Sequence, residues 1–249
     1  MKGLLKGVLA SLVSFTRISV PWPLTQENFE DATWHIPLIG WLNVLLLAML
    51  YTFLEVPADL KLFLILVIPV LLSGGMHEDG LADSADGLFG GLNKERRLAI
   101  MKDPRVGSFG VLSLVLYSLG YFLALKNLPA FAVISALAIA LPLARLSGPL
   151  LAALLPYARA EVDANKAKHY LSGNRKKLVF SCFWCLPILL FMPTPTFGAV
   201  LILGFALTLF GCGWFFKKKL GGITGDCLGA AIKITELVLL WLIALHFQP

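Results

Sequence analysis

The sequence predicts an all-α integral membrane protein: a polytopic bundle of about seven transmembrane helices preceded by an N-terminal amphipathic helix. Three observations carry this. Hydrophobic residues make up 58% of the 249 residues and charged residues 14%, where soluble domains have about 45–50% and about 25%. Mean hydropathy is +0.81. Apolar runs of near-spanning length recur along the whole chain, and no polar stretch between them is long enough for a soluble domain. Residues 1–249 therefore read as a single membrane-embedded domain, with the lipid bilayer as its first partner.

The elements follow in order. Residues 1–17, MKGLLKGVLASLVSFTR, lack the uninterrupted apolar core and small-residue cleavage site of a signal peptide. Leu4, Leu5, Val8, Leu9, Leu12, Val13 and Phe15 share one face of a helix; Lys6, Ser11, Ser14 and Arg17 lie on the other. That pattern predicts an interfacial helix. Apolar spans follow at 36–54, 60–76, 108–126, 129–156, 178–193, 197–216 and 227–247. The 129–156 stretch contains Pro142, Arg145 and Pro149 and reads as one bent crossing.

Lysine and arginine alternate between rich and poor connections. The rich ones hold Lys2, Lys6 and Arg17; then Lys94, Arg96, Arg97, Lys102 and Arg105; then Arg159, Lys166, Lys168, Arg175, Lys176 and Lys177; then Lys217, Lys218 and Lys219. The poor ones hold Lys61, Lys126 and, at 193–196, none. The positive-inside rule places 77–107, 157–177 and 217–226 on the cytoplasmic side. It also accounts for the formal net charge of +6. No basic–aromatic interleaving marks a nucleic-acid partner. Oligomerisation is compatible with the sequence, which fixes no particular state. Cys182 and Cys185 lie inside an apolar run with no second pair nearby, and read as packing residues rather than a zinc site.

The segment GGMHEDGLADSADGLFGG, 74–91, stands out at the cytoplasmic end of the second span. On a helix, Asp79, Asp83 and Asp86 fall within roughly 60° of arc. Three carboxylates stacked on one face beside a bilayer are costly unless compensated. A hard divalent cation compensates them, because carboxylate oxygens suit Mg²⁺, Mn²⁺ or Ca²⁺. The metal ligands expected are thus Asp79, Asp83 and Asp86. Gly80, Gly87, Gly90 and Gly91 allow close backbone approach or a bulky ligand.

Further along, IMKDPRVGSFG places Lys102, Arg105 and Ser108 around the start of the third span. Arginine near a helix start suits phosphate oxygens, and ordinary flanking charge is the other reading. GGITGDCLGA opens the last span. Asp226 there is either an N-terminal cap or a metal ligand or base. Glu236 and Lys233 lie inside that span and read as a structural polar pair. His77 is a phosphate ligand, an orienting group or a plain interfacial histidine.

The element D-x-x-D-G, Asp83 to Gly87, resembles the first half of the CDP-alcohol phosphotransferase motif, but the second half is missing where the chain reads LNKERR. A CDP-alcohol-type lipid phosphotransferase is one alternative on this evidence, and a transporter with an acidic site another. The fuller match is to a different family. FTRISVPWP at 15–23, H-x-D-G-L-A-D-x-x-D-G at 77–87, KDPRVGSFG at 102–110 and GDCLGA at 225–230 occur in the order found in cobalamin synthases. The chain resembles that family, the adenosylcobinamide-GDP ribazoletransferases, over nearly its whole length. The resemblance implies a Mg²⁺-dependent, multi-pass enzyme of the cell inner membrane. Its substrates would be adenosylcobinamide-GDP and α-ribazole or α-ribazole 5′-phosphate, and GMP would be released. On that reading Asp79, Asp83 and Asp86 hold Mg²⁺. Lys102, Arg105, His77 and Ser108 bind substrate. Asp86 or Asp226 takes the nucleophile's proton, and Arg105 steadies the reacting phosphates.

Overall fold

The computed structural model describes residues 2–159 and 177–247. The basic connection expected at 157–177 falls largely outside them. Eleven α-helices are described: α1 Lys2–Phe15, α2 Gln26–Ala32, α3 Ile36–Phe53, α4 Ala58–Ser73, α5 Met76–Gly90, α6 Lys94–Ile100, α7 Ser108–Lys126, α8 Val133–Leu154, α9 Leu178–Cys185, α10 Pro195–Leu220 and α11 Gly225–His246.

Five helical stretches are long and apolar enough to cross a membrane: Gln26–Phe53, Ser108–Lys126, Ala130–Leu154, Pro195–Leu220 and Gly225–His246. α4 and α5 pass that test only together, and they are bent by 89°. We read α4, about 24 Å long at 1.5 Å per residue, as a sixth crossing. The seventh expected span, 178–193, is shorter. α9 stops at Cys185, and Leu186–Phe191 continues as a 3₁₀ helix with proline in its first turn. Pro187 has no N–H to continue the α-helical ladder.

Burial sorts the helices into layers. The Ala130–Leu154 stretch is 78% buried within the protein and Pro195–Leu220 only 22%. α8 and α11 form the centre, with α3 and α5 packed on them and α7 and α10 outside. The outer helices present apolar stripes at i, i+4, i+7, i+11. Leu112, Leu116, Leu119 and Leu123 form one, and Leu203, Leu207, Phe210 and Trp214 the other. Exposed apolar stripes of this length match a lipid surface. α1 follows the same logic. Gly7, Ala10 and Ser11 pack inward, with Gly7 beside His35, while Leu4 and Leu5 are exposed.

The bend between α4 and α5 is made by Gly74 and Gly75, at φ 68° and 76°, a region open mainly to glycine. α5 therefore runs crosswise to α4, over the starts of α7 and α11. It crosses the start of α11 at Gly80, where a Cβ would meet the Asp226 carbonyl oxygen at 2.8 Å. It ends at the start of α7, where both Asp86 oxygens accept hydrogen bonds from backbone amides, Gly107 N at 2.7 Å and Gly110 N at 2.9 Å. α6, capped by Asn93, lets Arg97 donate to the Lys219 carbonyl at the end of α10.

Beneath α5 a buried ionic network ties four helices together. Lys233 on α11 pairs with Glu78 on α5 at 2.9 Å and with Glu236 at 3.4 Å. Arg145 on α8 approaches Glu236 at 3.8 Å, and Tyr117 on α7 donates to it at 3.1 Å. The Lys233–Glu236 pair expected from the sequence is present. Glu78 and Arg145 extend it, so two cations balance two anions.

Candidate functional site

The site is built from the first turn of α11, the exposed edge of α5 and the connection after α8. Thr224, not Asp226, caps α11: its hydroxyl accepts from Cys227 N at 3.3 Å. This corrects the capping reading of Asp226. Its carboxylate accepts instead from the Thr224 hydroxyl at 3.1 Å and from Arg159 Nη2 at 2.9 Å. Arg159 is brought there by pairing of two connections, in which Ala158 N donates to Ile223 O and Ile223 N to Pro156 O.

On α5, Asp79 is exposed and Asp83 half-buried one turn later. Burial of Asp83 and the carboxylates of Asp79, Asp226 and Asp86 raise the Asp83 carboxyl from 3.8 to about 6. The sequence-predicted acids thus stand close enough to repel one another, with Asp226 added from a facing helix. Asp86 is the exception in its contacts. Its oxygens satisfy amides at the start of α7, donors that a helix N-terminus otherwise leaves unpaired.

Among the described residues, no group of three or more His, Cys, Asp or Glu side chains is arranged to hold a metal ion. The donor set is one of crowded carboxylates. It fits an ion that takes one or two carboxylates and completes its shell with substrate phosphate and water, as Mg²⁺ does. It does not fit an all-protein cage.

Asp79, Asp226, Arg159 and the buried His77 border a cavity of about 440 Å³ that extends between α1, α3, α8 and α11. The remaining residues expected in the site, Lys102, Arg105 and Ser108, are exposed around the start of α7, near the Asp86 end of α5. Arg105 is paired there with Asp103, at 2.9 Å and 2.6 Å, its side chain 86% exposed. Arg105 holds the Asp103 carboxyl well below the usual carboxylate range. The structure does not bring these three residues to the cavity. Asp79 and Asp86 are seven residues apart on α5, about 10 Å along its axis.

Sequence reasoning missed Arg159 and Ser14. Arg159 was one charge among many in a basic connection, and its partner lies 67 residues away. Ser14 was placed on the polar face of an interfacial helix. The residue in fact borders the cavity, and its hydroxyl oxygen is buried with no hydrogen-bond partner among the described residues.

Known proteins match this chain along its length. The family model for cobalamin-5-phosphate synthase matches residues 7–244. A Chlorobium phaeovibrioides protein named adenosylcobinamide-GDP ribazoletransferase is 39% identical, covering 97% of each chain. Proteins of the same name from Pseudoalteromonas atlantica and Vibrio cholerae are each 34% identical. The first alignment covers 93% of this chain and 88% of its relative, the second 96% and 93%. No solved structure matches the chain. The matched stretch contains every residue of the site, from Ser14 to Asp226, and the chain belongs to the cobalamin-5-phosphate synthase family.

Proposed function

We propose that this protein transfers the adenosylcobinamide phosphate group of adenosylcobinamide-GDP to α-ribazole or its 5′-phosphate. Family membership decides for this reaction over a CDP-alcohol phosphotransferase or a transporter. The observation that ties it to particular residues is that Asp79 and Asp226 border a cavity, with Asp83 close enough to feel both carboxylates. A ribose hydroxyl attacks the phosphorus that carries the corrinoid arm. The new P–O bond forms as the P–O bond to GMP breaks. The hydroxyl proton passes to a carboxylate, and adenosylcobalamin or its 5′-phosphate is the product.

Reactions of this class depend on positioning and charge neutralisation. Asp79 and Asp83 would hold a Mg²⁺ ion, the first through its exposed position and the second through the crowding it feels. When bound, that ion neutralises charge on the pyrophosphate and the departing phosphate. Asp226 accepts the proton from the attacking hydroxyl, since it borders the cavity. Arg159 is placed to meet phosphate oxygens as a forked donor. Asp86 fixes the start of α7. Lys102, Arg105 and Ser108 form a rim on which the nucleotide's phosphates land before transfer.

The lysine and arginine asymmetry supports a cytoplasmic-facing site, and the membrane in this reading is the cell inner membrane. The test is GMP release by detergent-purified protein. Release should require both adenosylcobinamide-GDP and α-ribazole 5′-phosphate. Release with the first alone would mean hydrolysis, and no release by folded protein would overturn the reading.

A further inference from the structure

The two substrates differ greatly in size and polarity, so the cavity's volume and lining bear on which of them it can hold. α-Ribazole is a flat, apolar aromatic base on a ribose. Adenosylcobinamide-GDP carries a corrin macrocycle with amide-tipped arms, several times larger. The cavity holds about 440 Å³, at the small end of ligand sites, which run to about 1,000 Å³. Its wall is apolar where it runs into the bundle, with Phe15, Ile36, Gly148 and Ile232. Its polar side chains include His77, Asp79, Arg159 and Asp226, from α5, the connection after α8 and the first turn of α11. Ile232 lies six residues beyond Asp226 on α11, about 9 Å deeper. That depth suits one bicyclic base and its ribose. Ser14 also borders this space, and its hydroxyl oxygen is buried with no partner among the described residues, an orphan that rotation of the side chain would offer to a ligand hydroxyl or ring nitrogen.

We infer that this cavity seats the base and ribose of α-ribazole, with the reacting hydroxyl at Asp226, while the corrinoid nucleotide approaches from outside across the exposed edge of α5. The inference rests on the reaction proposed above. It assigns the nucleophile to the protected side of the phosphates and the leaving GMP to the open side. Gly148 is then a specificity-determining position. A Cβ there meets only Ile232, at 3.5 Å, so a side chain fits the backbone but takes volume from the seat.

The experiment compares wild type with Gly148→Ala, Gly148→Val and Ser14→Ala by steady-state GMP release, varying each substrate in turn. In parallel, α-ribazole binding is titrated calorimetrically without the corrinoid nucleotide. Gly148→Val should raise KM for α-ribazole about tenfold or more, the scale of added methyl groups in an apolar pocket. Its KM for adenosylcobinamide-GDP should stay within about twofold. Gly148→Ala and Ser14→Ala should show smaller shifts confined to α-ribazole, and they carry the test if Gly148→Val does not fold. Shifts confined to adenosylcobinamide-GDP, shifts shared by both substrates, or no shift in any folded variant would each overturn the inference. Failure of the underlying reaction is separately visible. Wild type that binds α-ribazole, more weakly after Gly148→Val, yet releases no GMP keeps the seat and removes the reaction. Wild type that neither binds nor turns over removes both.

Discussion

Thr224, two residues before Asp226, does the capping of α11. The Asp226 carboxylate is left between Arg159 and the cavity. If it accepts the proton, Asp226→Asn should lower kcat by about 10²- to 10⁴-fold, the range for loss of a positioned general base. KM for adenosylcobinamide-GDP should change little, and steady-state kinetics read both. Asp83 gives a prediction with a sign. Its folded-state carboxyl is raised from 3.8 to about 6, so the folded protein binds that proton more tightly than the unfolded chain does. Ionising it between about pH 4 and pH 6 therefore lowers stability. In EDTA, thermal unfolding should come at lower temperature at pH 7.5 than at pH 5. Mg²⁺ should raise the midpoint at pH 7.5 more than at pH 5, and Asp83→Asn should abolish that difference. The aspartates were legible in the sequence because their spacing is local to one helix. Arg159 was not, since it meets Asp226 only after two distant connections pair.

At the scale of elements, the apolar runs marked where helices stand, because hydropathy reports burial in lipid or protein alike. It could not separate α8 and α11 at the centre from α7 and α10 at the edge. All four are apolar, and contact between helices decides the difference. The spans also differed in length where backbone chemistry intervened. Pro187 turned the end of the 178–193 run into a 3₁₀ helix, and Gly74 and Gly75 turned α5 away from α4. The ionic network joining α5, α7, α8 and α11 was half visible, as Lys233 and Glu236 three residues apart on one helix. Glu78 and Arg145 come from other helices. Lys233→Met should leave Glu78 and Glu236 with a deficit of positive charge and cost about 3–5 kcal/mol, the range for breaking a buried pair. Adding Glu78→Gln to it should recover part of the loss, as measured by unfolding of the detergent-solubilised protein.

For the whole molecule, composition was enough to read a multi-pass helical membrane protein, and the alternation of lysine and arginine predicts its orientation. The motif order carried its family. Orientation is open to direct measurement. Leu92, between α5 and α6, is 93% exposed, and Phe131, at the opposite end of α7 and α8, is 80% exposed. With the native cysteines replaced by serine, Leu92→Cys should react with a membrane-impermeant maleimide only in inverted vesicles. Phe131→Cys should react only in right-side-out cells. The reverse pattern would move the site to the other face. The organisation that follows is a helical bundle that carries α5 as a crosspiece at one end, with Asp79 exposed on it and a cavity bordered by Asp79 and Asp226.

The decisive measurement is GMP release from adenosylcobinamide-GDP and α-ribazole 5′-phosphate by wild type and Asp83→Asn, each in Mg²⁺ and in EDTA. Release by wild type in Mg²⁺, abolished by EDTA and reduced at least about 10²-fold in folded Asp83→Asn, is the expected result. Undiminished release in EDTA, or an Asp83→Asn variant that turns over like wild type with the same Mg²⁺ dependence, would contradict a carboxylate-held cation at this site.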